Sequence, residues 1–145
     1  MRAAGGYEFD DDVSRIDLDA LWDSLCASAY WGKWRSRDDV QRQVLASWRT
    51  IGCYTGSGAM VGFARAVSDG VALAYLADVY VLPEHRGQGL GRALVDAMIE
   101  QGPGQGFRWM LHTTDAQGLY RLFGFTTPSA NYMERPSIHS APTRI

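Results

Sequence analysis

An apolar run ends at a proline and passes at once into glycines: Val79-Tyr80-Val81-Leu82-Pro83-Glu84-His85-Arg86-Gly87-Gln88-Gly89-Leu90-Gly91. The β-branched and aromatic residues favour a strand. Pro83 cannot donate to a ladder, so the strand stops there. From Gly89 the apolar residues return at helical spacing, as Leu90, Leu94, Val95, Met98 and Ile99. The chain therefore turns from strand to helix through a segment with little side chain. Glycine tolerates positive φ and lets a ligand touch the backbone. A helix start leaves N–H groups unpaired and carries partial positive charge. Together these form a cradle for a pyrophosphate, bracketed by Arg86 and Arg92. The third glycine falls one residue too early for Gly-x-Gly-x-x-Gly, and no Gly-Lys-Ser/Thr follows, so neither common nucleotide motif is met.

The rest of the chain is read around this turn. A short strand is expected at 7–9 and a helix at 17–29 with Asp17 as its N-cap. An aromatic loop, Tyr30-Trp31-Gly32-Lys33-Trp34, precedes a second helix capped by Ser36. Strands are expected at 51–54, 59–67 and 71–82, joined by turns at 56–58 and 69–70. After the helix at 89–101 come a strand at 107–112, a short helix capped by Asp115 and running to 123, and a strand resuming at Gly124-Phe125. The tail, 136–145, reads as frayed. The pattern gives a single α+β (mixed α/β) domain over 1–145, with a crossover around the glycine-turn helix.

Of the 145 residues, 46% are hydrophobic, enough for one core. Lys and Arg number 14 against 16 Asp and Glu. That balance argues against nucleic acid, whose phosphates call for a basic face. Cys26 and Cys53 match no zinc or disulfide framework and read as core thiols. No His, Asp or Glu grouping has metal-ligand spacing. No apolar run reaches the roughly 18 residues of a membrane span, and no signal peptide is recognisable at the start. The expectation is a cytoplasmic protein without metal or membrane partner.

The segment 79–91 resembles the coenzyme A signature of the GNAT superfamily of N-acetyltransferases. Its Arg/Gln-x-x-Gly-x-Gly/Ala core is met by Arg86, Gly89 and Gly91. A second block, Ala116-x-x-Leu119-Tyr120-x-x-x-Gly124-Phe125, is similar to the family's late helix and its tyrosine. The resemblance implies the GNAT fold, with its core at about 7–133: a mostly antiparallel twisted sheet, splayed at the coenzyme A site and flanked by helices. It implies acetyl-CoA as co-substrate and homodimerisation as a common state. Backbone groups of Val79 and Val81 would pair with the pantetheine arm. Amides of Arg86, Gly87, Gln88, Gly89, Leu90, Gly91 and Arg92 would hold the pyrophosphate. The arm would lie between the strand of Val79 and that of Met110 and His112. Thr113 stands where many members have an asparagine.

Direct acetyl transfer to an amine needs a neutral nucleophile and a proton for the departing thiolate. By its match to the family's tyrosine, Tyr120 is the candidate acid. Asp78 is one charge in an apolar strand and needs a partner. Two readings stand: it receives the substrate ammonium, or it pairs with Arg65 across the sheet. His112 is either a base acting through water or a hydrogen-bonded strand-end residue. Tyr30, Trp31 and Trp34 fall where the family builds its acceptor wall, with Tyr75 and Arg65 facing the cleft. The expected acceptor is a small primary amine. Acetylation of a protein N-terminus or lysine, and a non-catalytic acyl-CoA-binding regulatory module, are the competing readings.

Overall fold

The computed structural model describes residues 5–28 and 34–139. Five strands form one sheet in the order of the chain: β1 (Glu8–Asp10), β2 (Arg49–Tyr54), β3 (Met60–Ser68), β4 (Leu73–Val81) and β5 (Arg108–Met110). The first four pair antiparallel. Only β5 runs parallel to its neighbour, β4, as a strand reached through a crossover helix must. This is the mixed α+β architecture expected from the order of elements.

The helices cover the two faces of the sheet. On one face α3 (Leu90–Met98) inserts Leu94, Val95 and Met98 against Ile51, Cys53, Ala64 and Leu76. On the other lie α1 (Leu18–Trp22) and α2 (Arg37–Ala46). Leu21, Leu25, Val40 and Val44 there meet Tyr54, Met60 and Phe63. Cys26 and Cys53 are both buried thiols.

Local chemistry sets most of the boundaries. The Asp17 side chain accepts from the Ala20 N–H and caps α1. After Trp22 the same helix widens into π-helical turns over Asp23–Ser28. At α2, Ser36 and Asp39 form a reciprocal capping box. The 69–70 turn extends further than the sequence suggested, because Asp69 Oδ1 accepts from the N–H groups of Val71, Ala72 and Leu73.

Three expectations near the C-terminal end are corrected. The strand at 107–112 shortens to Arg108–Met110, because β4 offers no register partner beyond Tyr75. The helix α4 (Gln117–Arg121) has no side-chain cap from Asp115. Instead the Thr113 hydroxyl accepts from the Ala116 N–H at 3.0 Å. Gly124 and Phe125 do not resume a strand; they close α4. Gly124 takes φ 84°, its N–H donates to the Arg121 carbonyl, and the Phe125 N–H donates to that of Tyr120. That pattern is a Schellman closure. Its apolar contact is the Phe125 ring set edge-on to Tyr120, 5.7 Å between centroids.

Gly62 on β3 lets α3 sit close to the sheet. A Cβ there would lie 3.1 Å from Cys53 Cβ and 3.2 Å from both Leu94 Cδ1 and the Tyr80 carbonyl oxygen. Overpacking of this kind costs about 1–3 kcal/mol. Gly62→Ala should therefore lower the urea midpoint without changing the slope; an unchanged midpoint would mean that α3 lifts off freely.

Candidate active site

The strands β4 and β5 share only three register pairs, ending at Tyr75 with Met110. From Leu76 to Val81, β4 continues without a β5 partner. The Leu82 N–H donates to Val61 on the β3 side. By alternation, the backbone groups of Val81 and Val79 turn to the open edge. Of these, the Val81 carbonyl is already taken by Arg86 Nε at 2.8 Å. The edge thus offers strand-type hydrogen bonds to an extended ligand.

The glycine turn stands at the end of this edge. Gly87 and Gly89 both take φ 80°, a region where L residues are strained. A Cβ at either would meet nothing within 4 Å, so backbone conformation rather than crowding calls for glycine. Gly89 is the N-cap of α3 and supplies no side-chain cap to its first N–H groups. Those donors and the helix dipole suit an anionic group. Leu90 buries its side chain in the core, so it can offer only backbone. Arg86, Gly87, Gln88, Gly89 and Arg92 are exposed, and Gly91 is half-buried. A Cβ on Gly91 would lie 3.9 Å from Leu119 Cδ2, which sets α4 beside the start of α3.

Tyr120 on α4 is buried. Burial, and then the charge of Asp115, push its phenol above the ordinary tyrosine value. It keeps its proton near neutral pH and can donate it to a thiolate.

On the opposite face of the sheet, Asp78 sits in a bulge of β4. Phe63 pairs with Tyr80 and Arg65 with Ala77, so Asp78 and Val79 together oppose Ala64. Asp78 takes φ 55°, the only non-glycine with positive φ among the described residues. Its carboxylate is nearly buried, at 9% exposure, between Arg35 at 4% and Arg65 at 11%. Arg35 reaches both oxygens, at 2.9 and 3.2 Å, and Arg65 Nε lies 2.7 Å from Oδ2. Arg35 also donates to Gln43 of α2. Burial pushes the Asp78 carboxyl up, but the hydrogen bonds and charges of the two arginines outweigh it and leave it below the ordinary value. The ion pair to Arg65, one of the two readings of the sequence, is present. A carboxylate held by two guanidiniums is a poor proton acceptor.

Beside this cluster, Tyr75 bonds through its hydroxyl to His112 Nδ1. His112 Nε2 lies 2.5 Å from Glu134 Oε2. Tyr30 and Trp31 lie outside the described residues. Trp34 is exposed and stacks on His139 at 4.1 Å. The sequence reading missed three residues. Arg35 and Glu134 act through partners far along the chain. Tyr7 bonds to His85 Nδ1 at 2.8 Å and accepts from Gln88 at 3.3 Å, tying β1 to the glycine turn. No local pattern marked any of them.

An open strand edge running into an uncapped helix start, with a buried tyrosine beside it, marks the candidate site of this mixed α+β fold. The model of the Acetyltransferase (GNAT) family matches residues 18–125, and the chain belongs to that family. A protein of Gibberella zeae that carries an acetyltransferase name is 37% identical over 121 residues, covering 82% of this chain and 65% of that protein. Serotonin N-acetyltransferase 2, chloroplastic, of Oryza sativa subsp. japonica is 36% identical over 129 residues, 85% of this chain and 63% of that one. The chain therefore spans less than two thirds of the length of these relatives. A crystal structure of a GNAT-family acetyltransferase from Xanthomonas campestris pv. campestris superposes with TM-score 0.85 at 38% identity, covering 93% of this chain and 97% of that one.

Breaking a buried ion pair by removing one partner costs about 3–5 kcal/mol. Asp78→Asn keeps the volume and the tolerance of left-handed φ but strands the buried Arg35 and the half-buried Arg65, so chemical denaturation should show a loss of that order near neutral pH. Because the folded carboxyl titrates below its ordinary value of 3.8, this contribution is fully present above 3.8. It shrinks as pH falls through the lower folded value. A difference between variant and wild type that stays constant through acid would contradict the ion pair's role.

Proposed function

We propose that this protein transfers an acetyl group from acetyl-CoA to the primary amine of a small molecule, by direct attack while both substrates are bound. The observation that carries the reading is the open β4 edge running into the glycine turn and the start of α3. Val79 and the Val81 N–H offer the strand bonds for a pantetheine arm. The N–H groups of 87–92, with Arg92 alongside, offer the cradle for its pyrophosphate; the Arg86 N–H is already given to the Pro83 carbonyl. When bound, acetyl-CoA supplies an activated acyl group on a thiol leaving group. Tyr120, protonated and beside the start of α3, gives the sulfur its proton.

Asp78 serves this site by holding the bulge and Arg65 in place, not by taking the acceptor's proton. The relative from rice is named for serotonin, a primary amine, which supports an amine acceptor here. A protein N-terminus or lysine is the second acceptor class to test.

Three measurements decide the reading. Saturating acetyl-CoA should raise the melting temperature, by linkage of binding to the folded state; no shift would overturn the donor. An amine panel containing serotonin, polyamines, amino acids and a lysine peptide, read by released thiol, should give turnover with a small amine. Turnover with the peptide alone would move the acceptor to protein. Tyr120→Phe should lower kcat by roughly 10²-fold or more with little change in the acetyl-CoA thermal shift. Equal kcat would remove Tyr120 from proton delivery.

A further inference from the structure

Four side chains from three separate parts of the chain meet at the point where β4 and β5 part. Tyr75 is the last β4 residue with a β5 partner. His112 follows two residues after the end of β5. Tyr132 and Glu134 come from the segment that returns after α4. The contacts form a line. The Tyr75 hydroxyl bonds to His112 Nδ1. His112 Nε2 lies 2.5 Å from Glu134 Oε2. The Tyr132 hydroxyl donates to the same Glu134 oxygen at 3.1 Å. Tyr75 lies on the sheet face that carries Arg65, since Val67 pairs with Tyr75 and Arg65 with Ala77. The other charges near Tyr75 are Arg65 and Asp78, already bound to each other.

We infer that Tyr75, His112 and Glu134 form the proton relay that neutralises the acceptor amine, with Tyr75 facing the substrate, His112 storing the proton and Glu134 positioning His112. The inference rests on the acetyl-transfer reading above.

The chemistry follows from the order of the groups. A carboxylate only accepts, so the Nε2 facing Glu134 carries a hydrogen. In the neutral imidazole Nδ1 is then the acceptor, and the phenol must be its donor. This leaves the lone pairs of the Tyr75 oxygen as the free end of the line. The oxygen takes a proton from the substrate ammonium, directly or through one water, while its own proton passes to Nδ1. The imidazolium that results is paired with the Glu134 carboxylate. The neutral amine nitrogen bonds the acetyl carbon, the carbon–sulfur bond breaks, and the sulfur takes the Tyr120 proton. The proton that nitrogen sheds on forming the amide restores Tyr120 through solvent. The imidazolium releases its stored proton to solvent and the relay resets. One ammonium and one thioester give one amide, one thiol and one proton.

Burial first, then the charges of Glu134 and Tyr132, push the Tyr75 phenol above its ordinary value, so it stays protonated between turnovers. His112 and Glu134 are accessible, at 59% and 40% exposure, which lets the stored proton leave to water. It also means that substitutions there should leave the core intact. Asp78, with its oxygens filled by guanidiniums, cannot compete for the same proton.

The test is the pH dependence of kcat/KM with the best amine of the panel, for wild type, His112→Gln, Glu134→Gln and Tyr75→Phe. Wild type should show an acidic limb that His112→Gln abolishes, with kcat/KM down roughly 10²-fold or more. Tyr75→Phe should cost a similar factor with an unchanged acetyl-CoA thermal shift. Glu134→Gln should lower kcat/KM with an unchanged acetyl-CoA thermal shift, because a neutral amide pairs less well with the imidazolium of the relay, and Glu134→Asp should recover part of the loss. An active enzyme whose acidic limb survives His112→Gln overturns the relay alone. A wild type that acetylates no amine overturns the acetyl-transfer reading together with it. Independently of turnover, the His112 ring nitrogen resonances of the free protein should report the tautomer with its hydrogen on Nε2. The Nδ1–H tautomer in wild type overturns the relay.

Discussion

The fold turns on a carboxylate that has nowhere to go. Asp78 occupies a bulge in β4 at left-handed φ, with 9% of its side chain exposed. An isolated charge so placed would be untenable. It persists because Arg35 arrives from the helical layer and Arg65 from β3. Through Gln43, Arg35 also engages α2. One ion cluster therefore joins the two central strands to the helices above them, and fixes where the bulge falls. The bulge in turn sets which backbone groups of β4 face the open edge.

That edge separates two groups of residues on the two faces of the sheet. On the α3 side lie the glycine turn, the helix start and Tyr120, which the proposed reaction gives to the acyl donor. On the other side lie Tyr75, His112 and Glu134, which it gives to the amine. The parting of β4 from β5 after Tyr75 connects them. A fully paired sheet would use up the backbone donors and acceptors that this edge leaves open. Tyr120 is held in its place from behind: Gly124 closes α4, and Phe125 turns back edge-on to the tyrosine ring.

Much of this was legible residue by residue. The Asp17 and Ser36 caps act within three residues, so their sequence signals are reliable. The stripe of Leu94, Val95 and Met98 faces the core as its spacing requires. The misreadings came where local signals are ambiguous. Gly124-Phe125 looks like a turn into a strand but serves as a helix stop, since a glycine of positive φ suits both. Asp115 has the chemistry of a cap, yet Thr113 takes the bond.

By itself the sequence determined the local conformations: the strand stopped at Pro83, the positive φ at Gly87 and Gly89, and the uncapped start of α3. These depend on sterics and hydrogen bonds within a few residues. Only the tertiary structure decided what Asp78 and His112 are joined to. Arg35 lies 43 residues from Asp78, and Glu134 comes to His112 only because α4 closes and sends the chain back across the end of β5. Such pairs are fixed by the packing of whole elements, and no spacing in the sequence encodes them.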